Sequence, residues 1–376
     1  MNSPHFRGFL CALCIVIGLS TGHEAAAQQN ASTAEQKTLP SESANESAPA
    51  QILTFSDPEY LNAIPFGPVR MGLPVALQDG SFLTVSLNPN AFRTPAPGSQ
   101  PESSAPTIWR IKNNQSFNSF DLSFPGLANA RMDGPIAASE DEIVILLSAI
   151  TQDEKMNHPD TRPHAFLAFY EFSGKLKKTV SLSTERQITQ LGLFPNGDVL
   201  VSGVSFPRNG GGRKSLEIFN GNGEFQKSLF QDNPDYDVKD VKDFLDASPK
   251  RILPYRKHLL LEYHEGNKVN LKEVNPAGLL YEYTVELPAG YSPMSLISSD
   301  GPYWYLLSGK SSGSAGSSIK VDDIFVFDRL TSKMVRHLQG NDSAHLLNTL
   351  SITEGELLVL AYRDGKSCLL RGSMGK

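Results

Sequence analysis

The sequence predicts an all-β chain, a six-bladed β-propeller of four-stranded antiparallel blades whose ring is closed by an N-terminal strand in the last blade. Two observations carry this expectation. An apolar strand, a polar or Gly-containing tight turn and a second apolar strand recur six times, about every 45 to 60 residues. The last repeat is one strand short, and a spare strand stands near the other end of the chain. A strand repeat of this length cannot bury its faces alone, so its copies must pack side by side around a ring.

The six copies are LPVALQDGSFLTVSL from Leu73, GPIAASEDEIVILLSAI from Gly134, ITQLGLFPNGDVLVSGV from Ile188, RILPYRKHLLLEYHE from Arg251, SPMSLISSDGPYWYLLSG from Ser292 and LNTLSITEGELLVLAYR from Leu347. Each supplies the two inner strands of one blade. Outer pairs follow the first five, beginning at Thr107, Phe166, Lys214, Lys268 and Asp323. Their turns centre on Gly, Asn or Pro, as at Ser173-Gly174 and Asn220-Gly221-Asn222-Gly223, where a positive φ is easily adopted. Lysines on the last strands, such as Lys175, Lys177 and Lys178, suit an exposed outer edge defended by charge. The sixth unit has SCLLRG as a third strand and no fourth, while the strand QILTF, residues 51–55, has no other partner. It is expected to close the ring as the outer strand of the last blade. Seven blades are the alternative, with an irregular blade within residues 231–250.

Residues 1–27 read as a secretory signal: basic Arg7, an apolar run from Phe9 to Leu19 too short to span a bilayer, and the small-residue site Ala25-Ala26-Ala27. Residues 28–50 are almost free of large apolar side chains and read as a disordered tether, leaving 51–376 as one propeller domain. Only Cys368 would remain after signal removal, so no internal disulfide is possible, and its alternating strand context favours packing over reactivity. The formal net charge is −6, and the signal removes one charge of each sign. This balance argues against nucleic acid as a partner. Together these readings place the domain outside the cytoplasm, as a monomer without a membrane segment once the signal is cleaved.

Chemistry-bearing residues are few and scattered. The loops between second and third strands are long at residues 88–104, 151–163, 206–213 and 310–318, whereas the opposite face has uniformly tight turns, so the long-loop face is the expected binding face. Counting back from each inner turn to the start of the innermost strand reaches Arg70, Arg131, Arg186, Asp246, Tyr291 and His345. Three arginines around a narrow channel mouth would favour a carboxylate or phosphate, so Arg70, Arg131, Arg186, Tyr291 and His345 form the candidate anion site; capping of strand ends is the competing account. His158 and His164 lie in an acidic loop without metal spacing, which reads as solvated, and His258 and His264 are too far apart along one strand to share a metal. No metal and no cofactor is expected. Within 231–250, Val238, Val241 and Leu245 recur at helical spacing and predict a short amphipathic helix. No catalytic constellation can be assembled.

The run Phe194 to Gly203, FPNGDVLVSG, resembles the six-bladed propellers of the NHL and TolB type. At the level of residues the resemblance covers one blade, and at the level of pattern most of the chain. The secretory signal, the disordered tether, the one-sided long loops and the lack of a catalytic motif together point to a binding module, with a protein or peptide partner on the long-loop face. The rival expectation is an enzyme or receptor for a small anionic ligand at the channel mouth, of lyase or hydrolase kind.

Overall fold

The computed structural model describes residues 49–61, 75–77, 81–86, 107–111, 117–158, 163–182, 186–205, 212–229, 237–238, 248–298, 301–310, 320–340, 346, 349–352 and 355–374. Six antiparallel sheets follow one another along the chain, one for each repeat. Their innermost strands are Val75–Ala76, Leu127–Ala138, Arg186–Leu193, Arg251–Tyr255, Tyr291–Ser298 and Thr349–Ile352, in blades 1 to 6. These strands neighbour one another in ring order, with blade 4 reaching blade 5 through its second strand, His258–Glu265, and blade 6 returning to blade 1. Blade 4's inner strand also comes within 8 Å, between Cα atoms, of those of blades 1 and 2, so the channel is narrow there.

The second and third strands of a blade are buried on both faces, which is why they read as continuous apolar runs rather than alternating ones. Glu142–Thr151 shows this: Ile143 and Ile145 pack towards blade 1, whereas Val144 and Leu146 pack towards blade 3. Repeated around the ring, this division produces six apolar cores, one at each blade interface. Every blade therefore needs two neighbours, and only a closed ring provides them.

The N-terminal segment closes the ring with a division of labour that the sequence did not show. Thr54–Phe55 and Glu59–Tyr60 pair antiparallel with Lys366–Ser373 and together make the fourth strand of blade 6, as expected. Ala50–Ile52, however, pairs in parallel with Met334–Gln339 as a fifth strand on blade 5. Between them Leu53 is fully buried in the core shared by blades 5 and 6, and its N–H donates to Gln339 O at 2.8 Å. Polar contacts reinforce the clamp: Arg371 Nε lies 2.9 Å from Glu59 Oε1, and Tyr60 Oη donates to Asp364 at 2.5 Å. Cys368 is buried in the same core, as its strand context suggested.

Two local readings are corrected. Val238 lies in a short strand, Asp237–Val238, paired with Gly212 and Arg213; residues 241–247 of the expected helix lie outside the described residues. The pairing extends the outer edge of blade 3, so no seventh blade is needed. The acidic loop after Thr151 is a helix, Gln152–Asn157, because Thr151 and Glu154 form a reciprocal capping box. His164 then pairs with Glu154 at 3.0 Å. Among the described residues no helix is long and apolar enough to cross a membrane.

Candidate functional site

Of the expected channel-mouth residues, Arg70 and His345 lie outside the described residues, as does Asp246. Most of the long loops expected to bind a partner lie outside them too. Arg186 and Tyr291 each begin their inner strand, opposite Ser205 and Lys310, whereas Arg131 lies inside Leu127–Ala138, opposite Ser148. Arg131 is exposed. Tyr291 is half-buried: its ring stands edge-on to Phe325 at 4.8 Å and to His337 at 5.9 Å, under the Lys310 ammonium at 5.6 Å. Burial, then the Asp323 charge, pushes its phenol above the ordinary range.

Buried carboxylates gather on the blade 4 and blade 5 sheets, each with an imidazole. Glu262 is fully buried; one oxygen is 2.7 Å from His264 Nε2 and accepts the Leu296 N–H of blade 5 at 2.8 Å. Arg251, opposite Glu262 in register, donates to Leu296 O at 2.9 Å; desolvation lowers its pKa and Glu262 opposes that. On blade 5, Asp323 lies 2.7 Å from His337 Nε2, and that ring stacks on Phe325. The Glu262 group ties the blades together. His258 and His264 each have their own carboxylate, in keeping with their separation along the strand, and no group of three potential metal ligands occurs among the described residues.

A denser constellation stands at the opposite, tight-turn end of the same interface. Tyr255 ends the inner strand of blade 4, and the two-residue turn Arg256-Lys257 leads into His258. Arg256 holds φ at 53°, a left-handed conformation uncommon for a side chain of its size. Its guanidinium carbon is 5.3 Å from the Tyr255 ring centroid. Arg329, from the outer turn of blade 5, reaches the same ring at 6.0 Å and donates to the Tyr255 hydroxyl. Behind them Trp304 is fully buried between Tyr255 at 5.7 Å and Tyr283 at 5.3 Å, and its indole Nε1 has no hydrogen-bond partner among the described residues.

Glu273 organises the other side of this constellation. One oxygen is 2.5 Å from His258 Nδ1, and the other accepts a long hydrogen bond from Tyr283 Oη at 3.5 Å. Burial first, then the Glu273 charge, pushes Tyr283 up to about 12. Tyr255 is raised by burial while Arg329 and Arg256 pull it back. Tyr283 donates to Glu273, whereas the Tyr255 hydroxyl accepts from Arg329. Of these residues only His258 was weighed from sequence, as a metal ligand and set aside, although the Arg-Lys turn in the fourth repeat was visible.

The outer strand of blade 4, Gly278–Glu286, completes the region. Blade 5's outer strand is covered by Ala50–Ile52, and the fourth strands of blades 3 and 6 are built from two short pieces. Nothing described covers blade 4's edge. A bulge at Leu280 places Leu279 opposite Val274, on the blade 3 side, and Tyr281 opposite Glu273, on the blade 5 side. Leu279, Leu280 and Tyr281 are exposed by 45, 37 and 61%. Exposed Phe225 belongs to blade 3's outer strand, which Lys227 joins to the blade 4 turn through a 2.9 Å bond to Ala277 O.

No protein-family model and no curated protein matches the chain. Among solved structures, the chain is similar to a Bacteroides caccae protein of unknown function at 15% identity, covering 69% of this chain and 80% of that one with a TM-score of 0.38. A chain of a nidogen/laminin complex shows 13% identity over 70% of this chain and 78% of its own, with a TM-score of 0.38. A luciferin-regenerating enzyme shows 10% identity over 84% and 94%, with a TM-score of 0.42. The propeller assignment rests on sheet topology, and none of these likenesses bears on activity.

Proposed function

We propose that this chain is an extracytoplasmic binding propeller, of NHL- or TolB-like kind, whose partner is an extended peptide segment added to the outer edge of blade 4. The observation that carries this reading is the run Leu279, Leu280 and Tyr281. Three consecutive exposed apolar residues on an uncovered strand are a liability for solubility and aggregation unless they serve recognition. Past the bulge, Tyr281 to Glu286 pair regularly with Lys268 to Glu273, so the free side of that stretch offers a straight ladder to an incoming strand. Strand addition at an outer edge already occurs in this fold, where Ala50–Ile52 joins blade 5.

Charge selects the partner. Glu282 and Glu286 are the charged residues of the edge, and Glu282 reaches Lys272 at 3.3 Å. Antiparallel pairing of two copies about Glu282, the middle of Gly278–Glu286, would set Glu282 against Glu282, so a second copy in that register is disfavoured. The fitting segment alternates apolar residues with Lys or Arg. Selection from a peptide-display library should enrich such sequences, and Leu280→Lys should abolish their binding while leaving the melting temperature unchanged. Selected peptides that bind the Leu280→Lys protein equally well would refute the reading.

The presence of Arg131 and Arg186 on the inner strands of neighbouring blades 2 and 3 supports a second reading, a small-anion site at the channel mouth. Arg131→Ala would remove ligand-induced thermal stabilisation if that site operates.

A further inference from the structure

We infer, on the strand-addition reading above, that the segment added to blade 4 is read on two faces and that Ile52, from the ring-closing segment, selects the residues on its apolar face. The repeat supplies a common register for the outer edges. In blades 2 to 5 the outer strand bulges at the same place, and the extra residue is Lys177, Gln226, Leu280 and Val335 in turn. Counting from the bulge matches blade 4 to blade 5: Glu282 with His337, Tyr283 with Leu338 and Thr284 with Gln339.

On blade 5 those three places already pair with an added strand, Ala50–Ile52, whose side chains divide between the neighbouring blades. Gln51 turns to blade 6, where its Nε2 donates to Met374 O at 2.8 Å, and Leu53 is buried in the same direction. Alternation sends Ala50 and Ile52 the other way, to the blade 4 side. Their partner His337 confirms that side, since its ring stacks on Phe325 within the core shared by blades 4 and 5. Ile52 is 66% exposed there.

A segment pairing with Glu282 to Thr284 would be the fifth strand of blade 4, level with the fifth strand of blade 5. Blades radiate from one axis, so the gap between them widens outward into a wedge. Added side chains that point to blade 5 enter this wedge. Tyr281 and Tyr283 form its blade 4 wall, opposite Glu273 and Leu271 in register, and Ala50 and Ile52 form the facing wall. Tyr281 is 61% exposed, so each wall presents an accessible apolar side chain. Added side chains that point to blade 3 lie instead beside Glu282 and Glu286. The alternation expected of the partner thus has a place for each half, with apolar residues in the wedge and Lys or Arg beside the glutamates. A slip of one residue would set Lys against Ile52 and Tyr281, and apolar side chains against Glu282, so the two faces fix the register together.

The test titrates a dye-labelled peptide of alternating Val and Lys with the full chain and follows anisotropy. Ile52→Ala should weaken binding about five- to tenfold through lost apolar contact. Gln51→Ala, one residue away on the same strand but turned to blade 6, should change the affinity by less than about twofold. A peptide of alternating Ala and Lys should bind more weakly and respond little to Ile52→Ala, because the side chain that meets Ile52 is gone. A Val–Lys peptide weakened by Leu280→Lys but not by Ile52→Ala leaves strand addition standing and overturns the wedge. Equal losses from Ile52→Ala and Gln51→Ala overturn it too, since they would trace to ring closure. No binding to the folded protein, or binding indifferent to Leu280→Lys, refutes strand addition itself, and the wedge falls with it.

Discussion

Truncating Leu53 to Ala tests how the ring is closed. Leu53 is fully exposed to neither solvent nor channel: it is buried among Leu307, Ile324, Leu338 and Leu370, side chains of blades 5 and 6. Leu→Ala at such a site removes burial and leaves a cavity, at a cost of about 2–5 kcal/mol. At about 2 °C per kcal/mol for a large domain, the midpoint should fall by roughly 4–10 °C. The Glu59–Arg371 pair in the same clamp predicts much less. Its side chains are 26 and 23% exposed, and a partly solvated pair contributes about 1 kcal/mol or less. Glu59→Gln should therefore shift the midpoint by about 2 °C at most. Deletion through Asp57 removes Leu53, the parallel strand on blade 5 and half of the fourth strand of blade 6, and should exceed both. Thermal unfolding followed by circular dichroism ranks the three variants. A deletion melting within about 1 °C of the parent would refute closure by this segment. Equal losses from Glu59→Gln and Leu53→Ala would show that the apolar core is not what holds it.

Gly192→Ala should destabilise the contact between blades 3 and 4, because a Cβ there would stand 2.5 Å from both Ile252 Cγ2 and Leu259 Cδ1. Overpacking of this kind costs about 1–3 kcal/mol, and denaturant unfolding that found no loss would mean the blades sit further apart. Tyr283 is protonated up to about 12, above the ordinary phenol value of 10.0, so the stability it contributes is complete below pH 10 and declines as pH rises towards 12. Tyrosinate absorbance should show a late-titrating fraction in the native protein, with a falling melting temperature over that window; simple titration of all tyrosines near pH 10 would contradict it. Burial also raises the Cys368 thiol, so a thiol reagent should label it slowly in the native protein and rapidly in urea. Rapid native labelling would show that the blade 6 core is open.

The blade count was legible because the central strands state it twice. In Ile143 to Leu147 every side chain is apolar, and the structure sends alternate ones into two different cores. That is a signature of sheets packed on both faces, and six copies of it define six blades. The closing strand was legible only in part. Residues 51–55 were recognisable as a strand without a partner, but alternation says which faces a strand presents and not which neighbour takes it. The split into Ala50–Ile52 on blade 5 and Thr54–Phe55 on blade 6 follows from Leu53 filling the core between them, a contact with residues more than 250 positions away. Val238 failed for a related reason: a two-residue strand has no period, so the helical spacing of its neighbours was the stronger local signal. The helix after Thr151 was within reach, since Thr-Gln-Asp-Glu is a capping-box pattern, yet the surrounding polar residues read as a loop.

For sites, the search from sequence followed symmetry and looked for the same residue type at equivalent places, which led to the arginines of the channel mouth. The constellation at the turn end of blades 4 and 5 lies where symmetry fails. Five inner turns carry acids and one carries Arg256-Lys257, a contrast open to any comparison of the repeats. What no such comparison can supply is Arg329, which comes from another blade's outer turn to meet the Tyr255 hydroxyl, or the packing of the Trp304 indole between two phenols. In a ring of near-equivalent blades the shared positions answer to packing, because each must satisfy the same two neighbours. A position that departs from its five counterparts without a packing reason is released from that constraint. Arg256 departs in charge and in backbone conformation together, at the place where three aromatic rings and a second arginine converge.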